Sequence, residues 1–435
     1  MNIILLSGGS GKRLWPLSND VRSKQFIKIF KNNQGDYDSM VQRVYRQIKA
    51  VDSDARVTIA TSKSQVSSIK NQLGAEVGIS IEPCRRDTFP AIALAAFYLA
   101  DVQQIEKDEP VVVCPVDPYV DASYFEALKE LSDLAQNGDG MSLMGIEPTY
   151  PSEKYGYIIP NSADKVSKVV TFKEKPTEAV AREYIDKGAL WNGGIFAFKL
   201  SYILKIAEEL TGFDNYKDLY DNYASLTKIS FDYAVVEKEN SLRVMRFSGQ
   251  WKDLGTWNTL TEAMDETIIG NGVMNDECEN VHIINEMDVP VLAMGLKDVV
   301  ISASPDGILV SDKAQSSYIK PYVDKIDQRI MFAETSWGSF KIIDVEADSL
   351  TVKVMLKKGN SMKYHSHKHR DEIWTVVEGE GMTVVDGVEE KVSIGNVIRL
   401  PRGCKHTIKA LTDIRLIEVQ CGQEISVEDK EVFDL

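Results

Sequence analysis

The chain has 435 residues, enough for two or three domains, with 43% hydrophobic and 26% charged residues, an ordinary balance for a soluble globular protein. Its net charge of −15 argues against nucleic acid or an anionic membrane as a general partner, so cations around a phosphate must be local exceptions. Scattered cysteines without a C-x-x-C pair, no signal-peptide pattern and no apolar run long enough for a bilayer predict a reduced, cytoplasmic protein.

In chain order, Asn2 to Leu6 reads as one buried strand, which breaks into LSGGSGKRLWPLS and then RSKQF. Gly8, Gly9 and Gly11 leave the backbone bare after Ser7, so amide N–H groups can approach an anion closely. Arg13 and Lys24 add positive charge just beyond. The spacing is neither a P-loop nor a dinucleotide fingerprint, since Leu14 stands where the third glycine belongs. A strand, a glycine turn and two cations describe a nucleoside triphosphate site.

Pro90 opens AIALAAFYLADVQQI, a good helix with proline tolerated in its first turn, and Val111 to Val113 is a core strand leading to Asp117. Alternating helical and strand patterns over residues 1–262 predict an α/β domain with a mostly parallel sheet. Residues 263–330 read as a β-rich connector, with the runs NVHII, VPVLAMG, DVVISAS and DGILVS. Residues 331–435 read as all-β, with Asp386-Gly387 as a hairpin turn.

Four of the five histidines fall at 365, 367, 369 and 406. Gly359, His365, His367, Glu372 and Gly379 fit the cupin spacing G-x5-H-x-H-x4-E-x6-G, and Gly395, Pro401, Gly403 and His406 fit its second half. Residues two apart on a strand share a face, so His365 and His367 can converge, joined by Glu372 and His406. Three imidazoles and one carboxylate suit Zn²⁺, Mn²⁺, Fe²⁺ or Co²⁺. The expected fold is a double-stranded β-helix, or jelly roll.

The string GGSGKRLWPLS followed by SKQF resembles the signature of sugar-nucleotide pyrophosphorylases, in particular the mannose-1-phosphate guanylyltransferases. EPCRRDTFPAIALAA is similar to the family's EPxGRNTAPAIALAA, and YGYI, FKEKP, WNGG and FDYA follow in the family's order. The resemblance implies a Rossmann-like domain that joins GTP and mannose 1-phosphate into GDP-mannose and pyrophosphate. It implies that Ser7, Gly8, Gly9, Gly11, Arg13 and Arg86 bind nucleotide, and that Arg13, Lys24, Asp117 and Asp253 are catalytic. Asp117 and Asp253, in WKDLGTW, would hold Mg²⁺, while Gly156, Glu174, Lys175 and Asn192 would bind the sugar phosphate. Arg85, Asp87, Phe89 and Pro118 replace the family's Gly, Asn, Ala and His.

The C-terminal segment, with RLPRGCKH and RLIEVQCG, resembles the type II phosphomannose isomerase domain fused to bacterial guanylyltransferases. There His365 replaces a Gln, Ile373 the second His of H-R-x-E-H-W, and Thr407 an Arg. The expectations are therefore a guanylyltransferase with a metal cupin, or a bifunctional protein that also interconverts mannose 6-phosphate and fructose 6-phosphate. The alternative is a pyrophosphorylase for another triphosphate and hexose 1-phosphate, with a non-catalytic metal-binding or dimerisation cupin. The expected assembly is a homodimer.

Overall fold

The apolar run Asn2–Ser7 is the third strand from one edge of a nine-stranded sheet, with Ile3, Ile4 and Leu5 fully buried between the helices on its two faces. The structure is a computed structural model that describes residues 1–435 except 10, 11, 20, 328, 424, 427, 428 and 435. Strands Gly78–Glu82, Arg56–Ser62, Asn2–Ser7 and Pro110–Pro115 lie side by side in parallel, as alternating helix and strand patterns predict. Beyond them the sheet turns mixed. Leu190–Lys199 runs antiparallel to Pro110–Pro115 and to Ser142–Ile146, and Arg243–Phe247 then runs parallel to Ser142–Ile146. Val166–Lys173 and Gly156–Pro160 close the edge antiparallel. The mostly parallel expectation thus holds for one half of the sheet. Apolar periodicity reports that a strand is buried, and carries no information on which way its neighbours run.

The alanine-rich segment forms the helix Thr88–Phe97, with every residue from Phe89 to Phe97 buried, and continues as a π turn over Tyr98–Val102. It is apolar all round, which places it inside the domain rather than on its surface. Asp87 takes φ 72° and accepts from Thr88 N at 2.8 Å as the N-cap. Its ψ of −175° puts it outside the left-handed helical region that Asp and Asn favour, so the N-cap bond is made on a strained backbone.

The four connector runs are all strands, and they coil. Ile268–Gly270, His282–Asn285 and Val299–Ser304 stack in parallel, and Gly272–Met274 stacks on Val291–Ala293 in a second parallel row. This short coil leans on the N-terminal signature. Arg22 pairs with both oxygens of Glu286 at 2.8 Å, and Ser304 donates its hydroxyl to Pro16 O at 2.7 Å.

The C-terminal segment is a two-sheet sandwich of six and five strands. The Asp386-Gly387 turn joins Glu380–Val385 to Val388–Ser393, with φ of 49° and 83° as that turn demands. The sandwich docks on the helix Val66–Leu73. Gln72 donates to Glu334 Oε2 at 2.6 Å and to Phe26 O at 3.0 Å, and Lys357 donates to Asn71 Oδ1 at 2.6 Å. Among the described residues no helix is long and apolar enough to cross a membrane.

Candidate functional site

Asp117 and Asp253 lie 136 positions apart in the chain, and a two-stranded ribbon brings them together. Pro118–Val120, just past the strand Pro110–Pro115, pairs antiparallel with Trp251–Asp253, so that Pro118 sits opposite Asp253. Lys24 reaches both carboxylates, with Nζ 2.7 Å from Asp117 Oδ2 and 3.7 Å from Asp253 Oδ1. Burial works to depress the Lys24 ammonium, yet Asp117 and Asp253 more than offset it and the pKa rises; Arg13 opposes them. A positive charge is therefore what these two oxygen donors are arranged to hold. That donor set suits Mg²⁺. The aspartate side chains are 35% and 42% exposed, open to a ligand arriving from solvent.

The glycine loop sits beside this centre. Gly9 has φ +129°, a conformation that L side chains rarely adopt. Beneath it runs a buried polar network that sequence reasoning missed. Gln25 donates to Ser7 Oγ at 3.0 Å, Thr61 donates to Gln65 Oε1 at 2.7 Å, and Gln65 donates to Ser23 Oγ at 2.7 Å. Ser23 in turn donates to Gly9 O at 3.3 Å. The Ser7 hydroxyl is thus engaged inside the protein. Gln25 was visible in the SKQF string, but Gln65 reaches the loop only through tertiary packing. Arg85 donates to Gly9 O at 3.1 Å, whereas Arg86 donates to Ala224 O on a different segment. Arg13 lies exposed on the short turn Lys12–Leu14. Gly11 falls outside the described residues.

A cleft of about 250 Å³ opens between the aspartates and the antiparallel half of the sheet, lined among others by Gly156, Glu174, Asn192 and Asp232. Glu174 accepts from Lys175 Nζ at 2.7 Å through Oε1, while Oε2 is buried without a hydrogen-bond partner among the described residues. A Cβ at position 156 would lie 2.4 Å from that oxygen, so a larger residue there would push the Glu174 carboxylate aside. Asn192 donates to Asp232 Oδ1 at 2.6 Å and accepts from Gly194 N at 3.1 Å. Burial and then the Glu174 charge push the Asp232 carboxyl up to about 6. Trp191 is core packing, 3% exposed, with Tyr155 against it at 4.9 Å between ring centroids.

In the C-terminal sandwich the four expected ligands meet. One ligand nitrogen from each of His365, His367 and His406 lies within 4.8 Å of the others. Glu372 spans two of them, 3.1 Å from His367 Nε2 and 3.5 Å from His406 Nε2. All four side chains are at most 3% exposed. The backbone selects the tautomer. His365 Nδ1 faces Lys363 O at 2.6 Å, His406 Nδ1 faces Cys404 O at 3.1 Å, and His367 Nδ1 faces Asp429 O. A carbonyl only accepts, so each Nδ1 carries the proton and each Nε2 presents a lone pair. His406 Nε2 is buried with no hydrogen-bond partner among the described residues. Burial, followed by Lys430 and His406, pushes His365 down to about 3, which keeps the imidazole neutral. This donor set fits a divalent transition metal.

Two replaced positions turn out to lie off this cage. Ile373 is 37% exposed, on the strand face opposite its buried neighbours Glu372 and Trp374. Thr407 donates to Met362 O at 2.7 Å. Arg370 is a member that the spacing did not single out. Its Nε donates to Glu372 Oε1 at 2.8 Å, and Nη2 lies 3.1 Å from His367 Nε2.

Known proteins share this arrangement. The family described as Nucleotidyl transferase matches residues 2–268, and the family described as Cupin domain matches residues 352–419. A mannose-1-phosphate guanylyltransferase of Salmonella montevideo is 27% identical, over 98% of this chain and 97% of its own. The alginate biosynthesis protein AlgA of Pseudomonas putida is 29% identical, over 99% of this chain and 95% of its own. The crystal structure of a protein named mannose-1-phosphate geranyltransferase, from Thermus thermophilus, is 28% identical. It aligns with 74% of this chain and 98% of its own at a TM-score of 0.62. The chain belongs to the nucleotidyl transferase family, carries a cupin domain at its C-terminal end, and is similar over its full length to proteins named mannose-1-phosphate guanylyltransferase.

Proposed function

We propose that the chain transfers the guanylyl group of GTP to mannose 1-phosphate. A phosphate oxygen of the sugar attacks the α-phosphorus in line, the bond to the β-phosphate oxygen breaks, and GDP-mannose and pyrophosphate result. The observation that carries this reading is the meeting of Lys24, Asp117 and Asp253 beside a cleft that also holds Glu174 and Asn192. Mg²⁺ bound by Asp117 and Asp253 would neutralise phosphate charge and polarise the α-phosphoryl group. With a cation held by Asp117 and Asp253, Lys24 would be free of the carboxylates and its ammonium could face the α-phosphate. Backbone amides at Gly8 and Gly9, with Arg13, would hold the outer phosphates. On the sugar side, Glu174 Oε2 would accept a hydroxyl and Lys175 would contact the phosphate.

Turnover and thermal shift measured across a panel of nucleoside triphosphates and hexose 1-phosphates test the assignment. GTP with mannose 1-phosphate is expected to exceed every other pair by about tenfold or more in kcat/KM. Preference for a different base or sugar would replace it with the alternative pyrophosphorylase.

For the cupin, the outward position of Ile373 favours a second activity. The replaced His lies off the metal cage, so its loss leaves the ligand set complete. This supports interconversion of mannose 6-phosphate and fructose 6-phosphate at a cage loaded with Zn²⁺, Mn²⁺, Co²⁺ or Fe²⁺.

A further inference from the structure

We propose that Glu286, on the coiled connector, is a positioning residue for nucleotidyl transfer: it clamps Arg22 and thereby holds Lys24 at the two aspartates. The proposal rests on the transferase reading above. It adds to that site a residue from outside the stretch 2–268 that matches the nucleotidyl transferase family, so the connector becomes a working part of the transferase.

Among the described residues, the segment that joins the glycine loop to Lys24 carries no strand and one short helical turn, Lys12–Leu14. Its supports come from far along the chain. Arg22 donates from Nη1 and Nη2 to the two oxygens of Glu286 at 2.8 Å each, and its guanidinium lies 5.1 Å from the centroid of the Phe332 ring. Asn19 gathers the same bend, accepting from Val21 N at 2.9 Å and from Arg22 N at 2.7 Å. Its amide donates onward to Asp306 Oδ2 at 2.7 Å. Ser304 holds Pro16 O at 2.7 Å. The connector thus grips the segment at 16, 19 and 22, and the last grip is two residues from Lys24.

The Arg22 grip is the one that reaches the chemistry. Its side chain is 8% exposed, so the guanidinium is nearly out of water, and a two-pronged bond to one carboxylate fixes both its place and its plane. Ser23 follows, its hydroxyl donating to Gly9 O at 3.3 Å, and Lys24 then opens the turn Lys24–Phe26. A shift at Arg22 therefore moves the root of Lys24 and the glycine loop together. Lys24 itself is long and flexible, yet it sets Nζ 2.7 Å from Asp117 Oδ2 and 3.7 Å from Asp253 Oδ1. Fixing its backbone is what narrows that reach.

After Glu286, the carboxylates that act on Arg22 are Glu334 and Asp306. A buried guanidinium deprived of its partner is costly, so without Glu286 it would turn toward these two and draw the backbone with it. Glu174 and Asn192 line the cleft from other segments and keep their places. The loss should therefore fall on the chemical step, where a misplacement of about 1 Å costs on the order of 10²-fold in rate.

The test is a double-mutant cycle on the full chain, with Glu286→Gln, Lys24→Ala and the two combined, followed in single turnover with GTP, mannose 1-phosphate and Mg²⁺ saturating. Each rate is divided by the concentration of folded chain, so that an unstable variant is counted only by what remains native. Glu286→Gln should slow transfer by about 30- to 100-fold, while the KM for the sugar phosphate stays within about threefold. In the Lys24→Ala background the same substitution should cost less than about threefold, because no ammonium is left to misplace. Arg22→Met, which cannot pair with Glu286, should reproduce the loss. A Glu286→Gln protein as fast as wild type overturns the proposal. So does an equal loss in both backgrounds, which would make Glu286 a support of the fold alone. If Glu286→Gln does not fold, Glu286→Asp, one methylene short, takes its place in the same cycle. Should wild type prefer another triphosphate or sugar phosphate, the guanylyltransferase reading fails alone, and the cycle run on the preferred pair decides the role of Glu286.

Discussion

The transferase cleft and the cupin cage both gather carboxylates and cationic or basic groups around a point, but they do so in opposite solvents. In the cleft, Asp117 and Asp253 are 35% and 42% exposed, and Lys24 stands between them as a movable counter-charge. In the cage, the three imidazoles and Glu372 are at most 3% exposed, and backbone carbonyls lock every imidazole in one tautomer. On the proposed function, a cleft that admits and releases a triphosphate would keep its charges wet and exchangeable. A cage that retains an ion would bury preorganised lone pairs, at a desolvation cost that the ion offsets.

The sharpest way to break this contrast is Asp117→Ala. Because the side chain is partly exposed, the melting temperature should move by no more than about 2 °C, while kcat/KM falls by about 10³-fold or more. Steady-state kinetics with calorimetry checks both; full activity in the variant would end the assignment of Asp117.

Stripping the cupin with a chelator should do the reverse. An ion held at about a thousand times its dissociation constant contributes roughly 4 kcal/mol, so the stripped cupin should melt earlier. Transferase turnover, assayed after Mg²⁺ is restored, should change by less than about twofold. Reloading the full chain with Mn²⁺, Co²⁺ or Zn²⁺ and assaying mannose 6-phosphate separates the two cupin readings. No isomerisation with any of these ions sinks the bifunctional one.

A smaller effect comes from Asp232, whose carboxyl is raised from 3.8 to about 6 in the folded chain. The folded state then binds a proton that the unfolded state releases, so this residue's contribution to stability declines as pH climbs from about 4 to about 6 and is flat above that. Asp232→Asn, which keeps an acceptor for Asn192, should gain up to about 2–3 kcal/mol over wild type above pH 6, and little near pH 4. Denaturant unfolding at the two pH values measures it. A gain independent of pH would trace the effect to packing instead.

Much of both sites was legible because their residues sit in contiguous strings with fixed local geometry. His365 and His367 are two apart on a strand, and the glycine turn follows a strand directly. What escaped were contacts between distant segments. Arg85 and Arg86 are adjacent in an irregular stretch, where no period says which one turns to the glycine loop; Arg85 does. Ile373 stands where the isomerase motif has its second His, and strand alternation sends it to the outer face, away from the four ligands. FDYA is legible in the sequence only as a string in the family's order; the bond of Phe231 to Thr88 and that of Asn192 to Asp232 place Asp232 on the cleft.

The sequence by itself determined the elements, the α/β and all-β halves, and the identities of Lys24, Asp117, Asp253 and the four cage ligands as candidates. The elements follow from interactions a few residues long, which hydrophobic period and glycine placement record directly, while Asp117 and Asp253 were candidates through the resemblance of their strings to the family's. The tertiary structure alone decided that half of the sheet is antiparallel and that Pro118 lies opposite Asp253. It also decided that Asp429, 62 positions away, sets the proton on His367. Such pairings depend on burying many surfaces at once, and no local stretch of chain carries that information.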